Sequence, residues 1–245
     1  MIKRNITAYR YSDIELFYIR KLYSIYGKKI DFNHRLPEVY MGEFFDFQKP
    51  TDTGEVKEIE YDNSDTSIFS ILSNPDYLGF YKRRRGSEGK IYLYTDRLKD
   101  LSKRYSERFN ISFQYCYDIV LFIVLFHELG HWINHWVLKH EFDDKGEVYE
   151  NLETETKETF AQLNLLFALK GYNNEFVRDI RKVFFHLVQH QPRPYQVFLH
   201  TKGTKDKQGN FSPSITTIGR YVKLLDILNY ELVSDEFRFI LTGKN

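Results

Sequence analysis

The chain is nearly devoid of cysteine, holding one, Cys116, in 245 residues. An internal disulfide is thereby excluded, and a reducing compartment is expected. It also has no excess of either charge. Its 35 Lys and Arg stand against 34 Asp and Glu, so net charge gives no reason to expect nucleic acid or an anionic membrane as partner. No unbroken apolar run approaches the ~18 residues a membrane span needs. The longest, Ile119 to Phe126, ends in charged residues. The opening stretch MIKRNITAYRYSDIE contains no apolar core of a signal peptide, so no secretion signal is expected. Internal repeats and long low-complexity tracts are missing too. These absences predict a soluble, cytoplasmic protein.

What is present suffices for a substantial core. Hydrophobic residues make up 42% of the chain and aromatic residues 17%, mostly Tyr and Phe. Residues 1–245 are expected to form a single domain, with a mixed strand-and-helix lobe over 1–110 and a mainly helical lobe over 111–245.

Ser12-Asp13-Ile14-Glu15 reads as a capping box, followed by a helix with Ile14, Phe17, Leu22 and Ile25 as its apolar positions, ending at Gly27. Pro37–Phe47 has strand-like content. Gln48–Thr66 is polar and turn-rich, with at most a short strand near Val56–Tyr61; it reads as a surface loop, or else a lid. Leu78–Lys82 and Lys90–Thr95 flank Arg83, Arg84, Arg85 and Gly86, predicting a β-hairpin. Asp96 is expected to cap a helix carrying Leu98, Leu101, Tyr105 and Phe109. A helix over Phe113–Lys139 comes next, and the charged loop Glu141–Glu150 leads to another over Leu152–Lys170, stopped by Gly171. Asn173 or Asn174 starts a helix running to about His190, before Pro192 and Pro194. Thr201–Pro213 reads as a flexible basic loop, Thr217–Tyr230 as a helix, and Ser234–Leu241 as a closing element of undefined type. Strands early and helices late predict an α+β fold.

The chain is organised around YDIVLFIVLFHELGHWINH, Tyr117 to His135. An apolar helix, buried on nearly all sides, terminates in His127-Glu128-Leu129-Gly130-His131. Residues four apart on a helix share a face and lie roughly 6 Å apart along the axis. His127 and His131 can therefore offer their imidazoles to one tetrahedral Zn²⁺, which binds His nitrogen at about 2.0–2.1 Å. Glu128 is rotated by about 100° from His127 and can lean over water activated by that metal. The competing reading is two core histidines bonded to neighbours, with Glu128 on the surface.

A third ligand must come from elsewhere. The extended metzincin pattern requires glycine and histidine where this chain has Asn134 and Val137, so it fails. His135 prolongs the histidine stripe, but its rise of about 12 Å from His127 denies it a share of one ion on a straight helix. A packing or outer role is expected for it. The next helix offers Glu155 and Glu158. Helical spacing favours Glu158, one turn before Gln162 and beside the apolar stripe of Phe160, Leu163, Leu166 and Phe167.

His127-Glu128-Leu129-Gly130-His131, followed by Glu158-Thr159-Phe160-Ala161-Gln162, resembles the gluzincin arrangement. It is most similar to the bacterial and phage peptidases of the ImmA/IrrE type, whose second helix carries Glu-x-x-Ala-Asn. The resemblance spans roughly Ile91–Leu169. It implies a zincin-like fold with a small antiparallel sheet packed on the helical half, the motif helix central, and Lys90–Thr95 as an edge strand beside the cleft. It further implies His127, His131 and Glu158 as metal ligands, Glu128 as catalytic base, Ala161 as the small residue at the helix crossing, and Gln162 as a hydrogen-bond partner of a ligand imidazole. Gln162 stands where the family has Asn. No DNA-binding helix-turn-helix accompanies the motif.

The function expected is that of a zinc-dependent endopeptidase binding one Zn²⁺ per chain and acting on a peptide or protein. Metal-activated water would attack a peptide bond, with Glu128 as general base. The peptide is expected to lie along the Ile91–Thr95 edge. Tyr172, His186, His190, Tyr195 and His200 are candidate oxyanion donors. Lys82, Arg83, Arg84 and Arg85, with Lys202, Lys205 and Lys207, would serve a rival reading: a catalytically inactive zincin-like module binding protein or nucleic acid. A zinc hydrolase of non-peptide bonds is the other alternative. No membrane partner is expected.

Overall fold

A computed structural model of the chain describes residues 6–25, 36–47, 78–82, 89–142, 149, 154–169, 171–192, 194–195, 204–205 and 211–212. In order these form β1 (Thr7–Ala8), α1 (Asp13–Ile25), β2 (Glu38–Gly42), the single turn α2 (Phe44–Phe47), β3 (Gly79–Lys82), β4 (Lys90–Tyr94), α3 (Thr95–Phe109), α4 (Phe113–Phe142), α5 (Thr154–Ala168), α6 (Glu175–Gln189), β5 (Thr204–Lys205) and β6 (Phe211–Ser212). The fold is α+β, with a small four-stranded mixed sheet. The expected elements at Val56–Tyr61, Thr217–Tyr230 and Ser234–Leu241 lie outside the described residues, as does the Gln48–Thr66 segment. Within Thr201–Pro213, β5 and β6 form an antiparallel pair.

Helix α4 is the centre of the packing. Every side chain from Ile119 to Phe126 is buried, each contributing about 1.5–3 kcal/mol relative to exposure. Phe122 stacks on Phe126 at 4.1 Å and meets Tyr18 of α1 edge-on at 5.4 Å. The span Phe113–Trp136 is long and apolar enough to cross a membrane by length and composition, but 89% of the qualifying window is buried inside the protein. Its apolar surface is satisfied by α3, α5, α6 and the sheet. Cys116 lies in this core, and burial pushes its thiol up to about 11.

The sheet order is β1-β2-β4-β3, with β2 parallel to β4 and the other two pairings antiparallel. The wholly antiparallel sheet expected from sequence is therefore corrected. Hairpin pairing of β3 with β4 is a local matter, whereas β2 and β4 are joined through a long excursion that leaves their relative direction to the fold. Strand β4 lies between two neighbours, so the expected Lys90–Thr95 edge does not exist; among the described residues β1 and β3 are the outer strands. Val39, Ile91 and Leu93 point to the core, while Tyr40, Tyr92 and Phe80 form an in-register aromatic row on the other face, stacked at 5.8 and 4.8 Å. Strand β3 fits tightly under α4. A Cβ on Gly79 would lie 2.7 Å from the Tyr92 carbonyl and 3.3 Å from Val124.

Local signals place several helix ends. Ser12 Oγ accepts from Glu15 N at 3.3 Å, and Glu15 Oε2 accepts from Ser12 N at 2.7 Å, completing the capping box. The inward face of α1 is Tyr18, Ile19 and Leu22; Ile14 and Phe17 are exposed, contrary to the expected stripe. Asp96 does not cap α3. Tyr94 holds that position without a side-chain bond, and Asp96 instead accepts from Phe44 N at 3.1 Å, fixing the start of α2. Asn174, rather than Asn173, caps α6 by accepting from Val177 N at 2.9 Å.

Candidate metal centre

The middle of α4 carries His127 and His131 to the crossing with α5, where Glu158 meets them. That crossing is close because neither helix has bulk there. A Cβ on Gly130 would fall 2.7 Å from Ala161 Cα and 3.0 Å from its carbonyl oxygen. Ala161 is therefore the small residue at the crossing, and Gly130 is its counterpart. One turn before Ala161, Glu158 reaches back over both histidines.

His127 Nε2 lies 3.1 Å from His131 Nε2 and 3.1 Å from Glu158 Oε2, and His131 Nε2 lies 3.5 Å from the same oxygen. Two donors each about 2.05 Å from a tetrahedral zinc stand roughly 3.3 Å apart, so the three separations straddle the value one ion requires. Glu158 Oε2 is buried, and the two imidazoles are its polar neighbours among the described residues. One ligand atom from each of the three residues lies within 4.8 Å of the other two. Among the described residues, His127, His131 and Glu158 are the one group of three His, Cys, Asp or Glu placed to hold a metal ion. All three are buried. Burial alone would raise the Glu158 carboxyl's pKa, but the two imidazoles, His131 foremost, outweigh it and hold it at about 2. The carboxylate is thus ionised at neutral pH, as a ligand must be.

Glu128 is fully buried, so the surface position of the competing reading is ruled out. Of the alternatives on α5, Glu158 reaches the histidines; the Glu155 side chain lies outside the described residues. His135 is no part of the cluster, and its Nδ1 shares a 2.6 Å hydrogen bond with the Tyr81 hydroxyl of β3. Gln162 is buried but does not bond an imidazole. Its amide nitrogen donates instead to Gln191 Oε1, just beyond the end of α6, at 3.1 Å. That expected contact is corrected.

Two residues at the site escaped the sequence reading. Tyr149 places its hydroxyl 3.2 Å from His131 Nδ1, and Tyr81 binds His135. The signal for Tyr149 was an aromatic among the acids of Glu147-Val148-Tyr149-Glu150; for Tyr81 it was strand alternation opposite the motif helix. Of the expected oxyanion donors, Tyr195 lies at the site, buried with its ring 6.1 Å from that of His127. Tyr172 packs on Phe17 and Tyr18. His186 bonds Tyr105, and His190 Nδ1 donates to the His186 carbonyl. His200 lies outside the described residues, as do Arg83, Arg84 and Arg85. Lys82 is exposed at the end of β3.

No family model, curated protein or solved structure matches the chain.

Proposed function

We propose that the chain is a zinc-dependent endopeptidase. The observation that carries this reading is the convergence of His127, His131 and Glu158 on one point, with Glu128 beside them on the same helix. Two imidazoles and one carboxylate fit zinc in its open, three-ligand form. Zinc held there would polarise a carbonyl and lower the pKa of water to about 7.

The chain's own groups supply the rest. Glu128 takes the proton of the attacking water and passes it to the departing amine. Its buried position keeps bulk water from competing for that proton. Tyr195 is the candidate donor to the carbonyl oxygen as negative charge grows on it. The substrate's extended backbone adds to the outer edge of β3, unpaired among the described residues, in place of the β4 edge expected from sequence. Through Tyr81 and His135 that strand is tied directly to the motif helix.

Metal analysis of purified wild type and Glu158→Ala tests the centre. One zinc per chain, lost in the variant, is the expected result; iron in its place would redirect the reading, since iron(II) also accepts two His and a carboxylate. Cleavage of a peptide library tests the chemistry. Glu128→Gln should retain zinc and lose turnover, and undiminished cleavage by that variant would remove Glu128 as base.

A further inference from the structure

A neutral imidazole has a single proton for two nitrogens. If His131 is to bind a metal through Nε2, that proton must sit on Nδ1, and in a buried site Nδ1–H needs an acceptor. An acceptor within reach is Tyr149 Oη at 3.2 Å. His127 Nδ1, by contrast, is buried with no hydrogen-bond partner among the described residues. Tyr149 is held from three sides. Its ring meets Tyr81 of β3 edge-on at 6.5 Å, lies 5.4 Å from the His135 ring of α4, and has the Lys157 ammonium of α5 5.2 Å over its face. A ring fixed by three elements presents its oxygen at a set place.

We infer that Tyr149 is a positioning residue of the metal centre, its hydroxyl accepting the His131 Nδ1 proton and so reserving the Nε2 lone pair for the metal. The inference rests on the proposed metal site and adds to it a residue outside the ligand set. A hydroxyl suits the task because it is both donor and acceptor. In the metal-free protein it turns and donates to Nδ1, which lets the proton on His131 Nε2 bridge the 3.1 Å to His127 Nε2. Both states keep the ring in one orientation, so the ligand is in place before the metal arrives. Tyr81 provides an internal comparison. Its hydroxyl makes the same kind of bond to His135, which is not a ligand.

The test measures zinc affinity of the full chain at neutral pH by competition with a chromogenic chelator, and the visible spectrum after cobalt(II) loading. Tyr149→Phe keeps the ring and its packing while deleting the hydroxyl. It should weaken zinc about 10- to 100-fold, the range for loss of an outer hydrogen bond to a ligand, and alter the cobalt spectrum, with unfolding of the metal-free protein close to wild type. Tyr81→Phe should bind zinc as wild type does, and His131→Ala should not bind it. Wild-type affinity in Tyr149→Phe, with zinc still lost from His131→Ala, overturns the role of Tyr149 and leaves the metal site standing. An equal loss in Tyr81→Phe also overturns it, by tracing the effect to packing. A wild type that binds no zinc overturns both.

Discussion

Gly130 of α4 and Ala161 of α5 meet so closely that a Cβ on the glycine would stand 2.7 Å from the alanine Cα. This contact sets how far Glu158 can reach, because the carboxylate lies one turn from Ala161 and the histidines lie on either side of Gly130. Alanine at position 130 gains about 0.8–1.0 kcal/mol in helix propensity. Against that, backbone atoms cannot swing aside as a side-chain tip can, and overpacking costs typically 1–3 kcal/mol. Gly130→Ala should therefore be destabilised on balance, and should bind zinc more weakly as the helices part. Urea unfolding and a zinc titration check the two effects. A variant as stable as wild type, with unaltered affinity, would show that the crossing has slack.

Zinc should raise the melting temperature of the wild type. At 100 times its dissociation constant, a ligand that binds only the folded state adds about 2.7 kcal/mol. For a chain of this length that corresponds to roughly 5–10 °C. The shift should vanish in His127→Ala and Glu158→Ala. Persistence of the full shift in either would place the metal elsewhere.

Tyr195→Phe should lower kcat by on the order of 10²-fold, as loss of one oxyanion donor does, with little change in KM. The motive is the buried Tyr195 ring beside His127. Steady-state kinetics on a peptide cleaved by the wild type would decide. A change confined to KM would make Tyr195 a substrate contact instead.

Acid sensitivity should come in part from His186. Burial, aided by Arg108 and His190, lowers its pKa from 6.5 to about 4. Between those values the unfolded chain takes up a proton that the folded protein refuses. Stability contributed by the neutral ring is therefore complete above pH 6.5 and is lost as pH falls toward 4. The ring is partly exposed, so screening reduces the effect to the order of 1 kcal/mol. His186→Phe, which preserves edge contacts to Tyr105 and Phe109, should show a shallower fall in stability over that range. Parallel pH profiles for the two proteins would acquit His186.

Much of this molecule was legible because its strongest signals are local. The capping box at Ser12 and Glu15, the Asn174 cap and the turn at Gly171, with φ of 80°, follow from the conformational habits of single residues. The pairing of β3 with β4 is similarly short-range. Where sequence misled, a distant partner intervened. Asp96 left the cap of α3 for the backbone of Phe44, and Gln162 turned from the histidines to Gln191. Phe17, expected on the inner stripe of α1, is exposed and packs on Tyr172.

The sequence by itself determined that His127 and His131 share one face of a buried helix, because a four-residue spacing and a helical period leave no other outcome. It also narrowed the third partner to the first turns of α5. Only the tertiary structure decided that Glu158 closes the triangle, that Tyr149 stands behind His131, and that β4 lies inside the sheet between β2 and β3. Those relations join residues far apart in the chain, and they depend on how closely two helices approach and which way a strand runs. Packing sets both, and no local pattern encodes either.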